Sequence, residues 1–146
     1  MQKIPIFPVV WITGASSGIG RALALRLAGE GCTVAASARN IKALSDVAWE
    51  AADLPGQVIP VPFDVTDTEA VKRAGKKVLS ELGVPDLCIL NAGNFIPTNA
   101  KRINSGDMAA QVDLNFMGVV RVLEQVIPGT VSYTHLRAHE TREDRG

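Results

Sequence analysis

The chain has 146 residues, which is the length of a single domain. Fifteen basic and fifteen acidic residues cancel, and no run of like charge indicates a nucleic-acid or membrane-surface partner. The content of apolar residues is 47% and that of aromatic residues 5%, which is typical of a compact, aliphatic α/β core. No apolar stretch reaches the length of a membrane span, so we expect no membrane partner.

A glycine-rich turn stands between a predicted strand, residues 9–13, and a helix predicted over residues 18–30. Backbone N–H groups in such a turn, with the positive end of the helix, form a cradle for phosphate. We expect Gly14 to allow the tight turn, Gly18 to let a pyrophosphate approach and Gly20 to let the helix pack closely. The spacing G-x3-G-x-G departs from G-x-G-x-x-G, so by spacing alone a turn without ligand is an equal alternative.

Strands and helices alternate along the rest of the chain. The predicted elements are a strand at 33–38, a helix at 41–54, a strand at 58–63, a helix capped by Thr66 or Asp67, a strand at 86–90, a polar loop at 95–106 and a long helix at 107–127 ended by Pro128-Gly129. This alternation predicts a parallel sheet in the order 3-2-1-4, with ligands at the carboxyl ends of the strands. Pro60 and Pro62 indicate that the third strand lies at an edge.

Apolar residues at helical spacing mark the faces that we expect to be buried. They are Ile19, Leu23 and Leu27 in the first helix, Val71, Ala74, Val78 and Leu82 in the third, and Met108, Val112, Phe116, Val119 and Leu123 in the last. Cys32 and Cys88 both lie in apolar stretches, which favours reduced, buried thiols and a cytoplasmic location over a disulfide.

Five motifs, in order along residues 8 to about 130, resemble those of the short-chain dehydrogenase/reductase family. They are Thr13-Gly14-Ala15-Ser16-Ser17-Gly18-Ile19-Gly20, Ala38-Arg39, Asp64-Val65, Leu90-Asn91-Ala92-Gly93, and Asn115 within Asp113-Leu114-Asn115-Phe116-Met117-Gly118. The resemblance implies an α/β, Rossmann-like, doubly wound parallel sheet, truncated here after about four strands. It also implies an oxidoreductase that reduces a small carbonyl compound or runs in reverse on an alcohol. The family often has a second Asn where this chain has Leu90.

The resemblance assigns most of the motif residues to the cofactor. These residues are Gly14, Ser16, Ser17, Gly18, Ile19 and Gly20 around the pyrophosphate and adenosine ribose, Asp64 and Val65 at the adenine, and Asn91, Ala92 and Gly93 along the cofactor. Other interpretations stay open for three of these positions. One of the two serines would equally serve as a helix N-cap, Asp64 as a strand-end acid or helix cap, and Asn91 as a turn residue.

The end of the second strand bears on the choice of cofactor. An acidic residue there would bind the ribose 2′-hydroxyl and repel a 2′-phosphate. This chain has Ala38 followed by Arg39, whose guanidinium suits a phosphate. We therefore predict NADP(H), with NAD(H) as the alternative; an ordinary surface arginine is the other interpretation of Arg39.

Asn115 is the one catalytic residue that the resemblance assigns, as holder of a water for proton relay; a solvent-facing helix position is the alternative. The family also uses a serine and a tyrosine with a lysine four residues later, the cation lowering the pKa of the tyrosine. The single tyrosine, Tyr133, is followed four residues on by Arg137 and lies 18 residues after Asn115, whereas the family's tyrosine comes about 40 later. We therefore reject Tyr133 as catalytic.

Two hypotheses follow for the chain as a whole. The first is an N-terminal fragment, itself without turnover, of an NADP(H)-dependent carbonyl reductase or alcohol dehydrogenase whose full-length parent is a homo-oligomer paired through the long helix. The second is a natural truncated homologue that binds a nucleotide without chemistry. A Tyr-x-x-x-Lys segment in the natural reading frame would distinguish the first from the second.

The composition changes near Thr130, which divides residues 1–130, a partial dinucleotide-binding domain, from a tail at 131–146. The segment from Ser132 to Thr141 resembles translated sequencing-adapter read-through at the ends of metagenomic open reading frames, so we expect a non-native tail. A natural disordered tail is the alternative. His135 and His139 have the i, i+4 spacing of a ligand pair, but no third ligand is placed, so we predict no metal site.

Overall fold

The computed structural model describes residues 4–132. The expectations for Tyr133, Arg137, His135, His139 and the tail lie outside the described residues. The described part of the chain folds into four strands, five α-helices and one π-helical turn. In order these are β1 Val9–Thr13, α1 Gly18–Gly29, β2 Thr33–Ser37, α2 Ile41–Glu50, β3 Gln57–Pro60, α3 Thr68–Leu82, β4 Leu87–Leu90, α4 Ser105–Val112, the π-turn Asp113–Met117 and α5 Gly118–Ser132. None of the described helices is long and apolar enough to cross a membrane.

The strands form one parallel sheet in the order β3-β2-β1-β4, which confirms the predicted α/β Rossmann-like topology. The register places Thr13, the last residue of β1, opposite Ser37 of β2 and Leu90 of β4. Three strands therefore end at the same level, and the polar residues that follow them meet at one edge of the sheet. The edge position that the prolines predicted for β3 is also confirmed.

Side chains that alternate along the strands separate two apolar layers. Val10 and Ile12 face the layer that contains α1 and α2, whereas Trp11 faces the layer that contains α3 and α5. Burial on both faces explains why β1 is a continuous apolar run rather than an alternating one. The helix α3 begins after Asp67, whose carboxylate accepts from the N–H of Ala70, and it buries the face that its spacing predicted.

The face that we expected α1 to bury is wrong by one position. Ile19 is 73% exposed, and Leu23 and Leu27 are only half-buried beside the core. The line that packs on the sheet consists of Gly20, Ala24 and Ala28. These small residues let the helix axis approach the strands closely, so the larger side chains at the neighbouring positions flank the contact instead of making it.

The last helical segment also departs from the prediction. It begins at Ser105, capped by the Asn104 side chain, and it continues past Pro128 to Ser132. The π-turn interrupts it, and the extra residue of a π-turn rotates the faces on its two sides relative to each other. Phe116 is 63% exposed, Met108 and Val112 are exposed, and α4 buries no residue, whereas Val122 and Val126 of α5 are buried. Val119 and Leu123 are half-buried.

The close packing of α1 generates a prediction on stability. A Cβ atom at Gly20 would collide with the Gly14 carbonyl oxygen and lie 2.7 Å from the Asn91 amide nitrogen, whereas one at Gly29 would meet nothing within 4 Å. We expect Gly20→Ala to lower the free energy of unfolding by about 1–3 kcal/mol. Gly29→Ala, the matched control at the other end of the helix, should raise it by about 0.4–1 kcal/mol. Urea denaturation measures both, and equal stabilities of the two variants would contradict the packing.

Both cysteines are free thiols, as expected, and Cys88 on β4 generates a prediction on pH. Burial raises the pKa of Cys88 from its ordinary value of 9.0 to about 11. The folded thiol thus holds its proton more tightly than the unfolded thiol, so this group leaves stability unchanged below about pH 9 and lowers it between about pH 9 and 11. Urea denaturation across that range should show that the free energy of unfolding falls less steeply with pH for Cys88→Val than for the unsubstituted chain. Equal slopes for the two proteins would refute the raised pKa of Cys88.

Candidate functional site

A cleft of about 420 Å³ opens where β1, β2 and β4 end and the segment after β3 begins. Nine residues predicted for the cofactor line it: Gly14, Ser16, Ser17, Arg39, Asp64, Val65, Asn91, Ala92 and Gly93. The other three, Gly18, Ile19 and Gly20, lie in the first turn of α1 beside it. The cofactor assignments missed seven lining residues: Thr13, Ser37, Ala38, Asn40, Phe63, Asn94 and Leu114.

The glycine turn has the backbone that its sequence requires. Gly14 and Gly18 have φ values of 68° and 52°, a region that side chains disfavour. A Cβ atom at Gly14 would lie 2.9 Å from the Cα of Ala92, so the turn passes directly against the segment after β4. At Gly18 a Cβ atom would meet nothing, which leaves space above the backbone at the start of α1. The three glycines therefore have the separate geometries that we expected: turn, open approach and, at Gly20, close packing.

The N-terminus of α1 faces this cleft. Ser17 occupies the N-cap position, but its hydroxyl makes no capping hydrogen bond, and the first turn carries no acidic side chain. Within the described residues, neither the Ser16 nor the Ser17 hydroxyl has a protein partner. The simple N-cap interpretation of the serines therefore fails on hydrogen bonding. The helix end presents unpaired donors and a partial positive charge, which is the environment that an anion prefers.

Two hydrogen bonds tie the segment after β4 to the glycine turn. The Asn91 side chain donates to the Gly14 carbonyl oxygen over 3.2 Å, and the Ala92 N–H donates to the Thr13 hydroxyl over 3.1 Å. The Ala15 N–H donates to the carbonyl oxygen of Ser37, which ties the turn to β2 as well. Asn91 is thus a brace between the ends of β4 and β1.

Asp64 supplies the negative charge of the cleft. One carboxylate oxygen accepts from the Thr66 N–H over 2.9 Å and from the Thr66 hydroxyl over 2.8 Å. Burial alone would raise the pKa of this carboxyl, but the two hydrogen bonds and the charges of Arg39 and Arg121 outweigh it and hold the pKa below its ordinary value. Asp64 is therefore ionised at neutral pH. Asp67, not Asp64, caps α3, so the cap alternative for Asp64 is wrong.

Arg39 follows β2 at the exposed rim of the cleft. Among the described residues its guanidinium makes no hydrogen bond or ion pair, although its charge lowers the pKa of Asp64. Asn40 next to it is committed to the cap of α2, where its side chain accepts from the Ala43 N–H. Arg39 is therefore a cation whose donors are available at the cleft.

Asn115 lies in the middle of the π-turn and is not itself among the residues that line the main cleft. Its amide is held at both ends by the backbone of Asn94: the oxygen accepts from the Asn94 N–H over 2.8 Å, and the nitrogen donates to the Asn94 carbonyl over 2.7 Å. It lines a shallow cavity of about 280 Å³ together with Phe95, Met108 and Phe116. Asn115 is exposed, as the alternative interpretation of a solvent-facing helix position predicts, but its side chain is hydrogen-bonded to the segment after β4.

Two of the missed lining residues, Ser37 and Phe63, belong to the buried layer beneath the cleft. The Trp11 indole donates to the Ser37 hydroxyl over 2.9 Å, and its ring meets that of Phe63 edge to face at 6.1 Å. Contacts between residues of different strands leave no signal in local periodicity. Asn94, in contrast, directly follows the motif Asn91-Ala92-Gly93, and this position could have identified it as a lining residue. Residues 4–132 contain no group of three or more His, Cys, Asp or Glu placed to hold a metal ion.

Comparisons with known proteins agree with this geometry. The sequence pattern of the short chain dehydrogenase family matches residues 8–135. The 3-oxoacyl-(acyl-carrier-protein) reductase FabG of Thermotoga maritima is 38% identical over 120 residues, which are 82% of this chain and 49% of that protein. Dehydrogenase/reductase SDR family member 7 of Mus musculus is 35% identical over 124 residues, 82% of this chain and 37% of that protein. The chain thus spans about half the length, or less, of these curated relatives.

Solved structures share the fold. An alcohol dehydrogenase from Thermococcus sibiricus, complexed with 5-hydroxy-NADP, superposes with a TM-score of 0.78 at 32% identity and covers 83% of this chain and 52% of its own. The L-sorbose reductase of Gluconobacter frateurii, complexed with NADPH and L-sorbose, has a TM-score of 0.80 at 29% identity. The match covers 86% of this chain and 48% of the reductase chain. With its sequence pattern matched over most of its length and its four-stranded sheet shared with these enzymes, the chain belongs to the short-chain dehydrogenase/reductase family of oxidoreductases.

Proposed function

We propose that the cleft binds NADP(H) and that the chain is the cofactor-binding part of an oxidoreductase acting on a small carbonyl compound or alcohol. The observation that carries the proposal is the guanidinium of Arg39, which has no hydrogen-bond or ion-pair partner among the described residues and lies in the same cleft as the N-terminus of α1. Two separate sites of positive charge in one cleft suit a ligand with a pyrophosphate and a further phosphate. The NADP complexes of two structural relatives support the same choice.

The residues present fit such a cofactor. The space above Gly18 suits the pyrophosphate, as do the hydroxyls of Ser16 and Ser17, which have no partner within residues 4–132. The ionised Asp64 keeps one carboxylate oxygen without a hydrogen bond among the described residues, and that oxygen suits an amino-group donor such as adenine; Val65 lies next to it. A 2′-phosphate belongs at Arg39, where a bidentate guanidinium contact would favour it. In this assignment Gly14 and Gly20 shape the turn, and the exposed Ile19 in the first turn of α1 contacts the cofactor beside the pyrophosphate and adenosine ribose.

The chemistry rests on the family's mechanism. The bound nicotinamide would supply or accept a hydride. In this chain Asn115 is the residue that we propose for the catalytic site, as holder of a water for proton relay. Its amide is held in place by the backbone of Asn94, in the segment after β4 that carries Asn91-Ala92-Gly93 along the cleft. The serine and the tyrosine–lysine pair that move the substrate proton would belong to a full-length parent, which we propose to be a cytoplasmic homo-oligomer. The 146-residue chain itself would bind the cofactor without turnover.

A nucleotide-binding module without chemistry is the second candidate. The sequence favours it in one respect: its single tyrosine, Tyr133, is not followed by a lysine four residues later. The cleft would serve the same ligand in both cases, so nucleotide binding does not discriminate between them.

The assignment of Arg39 predicts a preference between cofactors. We expect the chain to bind NADPH more tightly than NADH, and Arg39→Asp to weaken NADPH binding roughly 10- to 100-fold, since a hydrogen bond to a charged group is lost and a repulsive charge is introduced. Fluorescence titration with both cofactors measures this preference. The matched control is Arg73→Asp, the same charge change at an exposed site on α3. Equal affinities for NADPH and NADH in the unsubstituted chain would refute the role of Arg39.

The enzyme hypothesis predicts what the source gene encodes. Genomic DNA sequenced with long reads through the codon for Gly129 should continue in frame into a strand, a serine and a Tyr-x-x-x-Lys segment about 40 residues after Asn115. A native frame that encodes residues 132–146 and then stops would overturn the enzyme hypothesis and leave the nucleotide-binding module.

A further inference from the structure

Arg121 of α5 makes hydrogen bonds to two segments that meet behind the cleft, the start of α3 with the residues before it and the π-turn. On one side its guanidinium donates to the Val65 carbonyl oxygen over 3.1 Å and to the Thr68 hydroxyl over 3.2 Å. On the other side it donates to the carbonyl oxygen of Asp113 over 3.2 Å and pairs with the Asp113 carboxylate. Only 15% of the Arg121 side chain is exposed, so these contacts are largely shielded from water.

The two sides that Arg121 joins belong to different parts of the proposed site. Val65 lies on the cleft wall next to Asp64, in the segment that leads into α3. Asp113 is the first residue of the π-turn, which carries Asn115 at its centre. Arg121 itself does not line the cleft. It therefore acts on the site through the backbone that it holds.

Close packing between these two segments leaves little room for one to move without the other. A Cβ atom at Gly118, the residue that follows the π-turn, would lie 2.8 Å from a methyl carbon of Val65. The π-turn thus rests directly on the cleft wall, and the guanidinium fork of Arg121 fastens it there. A single hydrogen-bonding donor could not reach acceptors on both sides, whereas a planar guanidinium presents several in fixed directions.

We propose that Arg121 is a positioning residue that couples the adenine end of the cleft to the π-turn holding Asn115. The inference rests on the proposed function, since it takes a nucleotide to be the ligand. A ligand that orders Asp64 and Val65 restrains the Val65 carbonyl and the first residue of α3. Through Arg121 that restraint reaches Asp113, and with it the π-turn. Binding at one end of the cleft thereby steadies Asn115 near the other end.

Hydrogen exchange measured by mass spectrometry tests the coupling on the complete 146-residue chain. Each variant is compared with and without NADPH, at NADPH concentrations that give equal saturation. In the unsubstituted chain we expect NADPH to slow exchange both in residues 65–68 and in the π-turn. In Arg121→Met we expect a dissociation constant raised about three- to tenfold, retained protection of residues 65–68 and loss of the NADPH-dependent protection of the π-turn.

Two further variants keep the test decisive. Arg73→Met removes an exposed arginine from α3 and should behave as the unsubstituted chain. Thr68→Val removes one hydrogen bond of Arg121 at the exposed start of α3, so it should reduce the coupling even where Arg121→Met does not fold.

The outcomes separate this inference from the proposed function. NADPH-dependent protection of the π-turn that persists in Arg121→Met, or in Thr68→Val where Arg121→Met does not fold, would overturn the coupling, because direct contact through Leu114 would then explain it. Faster exchange everywhere with an unchanged NADPH effect would likewise assign Arg121 a merely structural role. Absence of any NADPH effect in the unsubstituted chain would refute nucleotide binding itself, and the coupling with it.

Discussion

The contact between α1 and the glycine turn is the constraint on which the rest of the site depends. A helix with any side chain at Gly20 could not lie against the Gly14 carbonyl, and Asn91 donates its hydrogen bond to that same oxygen. One peptide group thus sets the distance between α1, β1 and β4. Because the helix begins so close to the strand ends, its first turn, which carries N–H groups without intrahelical partners, lies beside the cleft.

Charge is distributed unevenly around the cleft. The N-terminus of α1 and the guanidinium of Arg39 make one side positive, whereas Asp64 makes the segment after β3 negative. Parallel strands place these groups together, since every strand ends at the same edge and each connection begins there. The polar side chains next to this edge are largely occupied in bracing it, as with Thr13 and Asn91, and this leaves Arg39 and the two serines with donors to spare.

Most of the architecture was predictable because it depends on local pattern. Apolar runs of strand length, glycine and proline breaks, and helical spacing identify the elements, and their alternation identifies a parallel sheet in the order 3-2-1-4. Two faces were predicted wrongly for physical reasons. Spacing of large side chains does not reveal that Gly20, Ala24 and Ala28 make the closest contact of α1. Nor does it reveal the π-turn, in which one extra residue rotates the faces of the following helix relative to those of the preceding one.

The sequence by itself determined the family, the element order and nine of the residues around the cleft, because these follow from residue identity at fixed spacing. Only the tertiary structure decided how those residues are held. The Asn94 backbone on Asn115, the indole of Trp11 on the Ser37 hydroxyl and the fork of Arg121 join positions that are distant along the chain or lie on separate elements. Such contacts depend on register and on helix rotation, which arise from packing the whole fold and leave no periodic trace in any one segment.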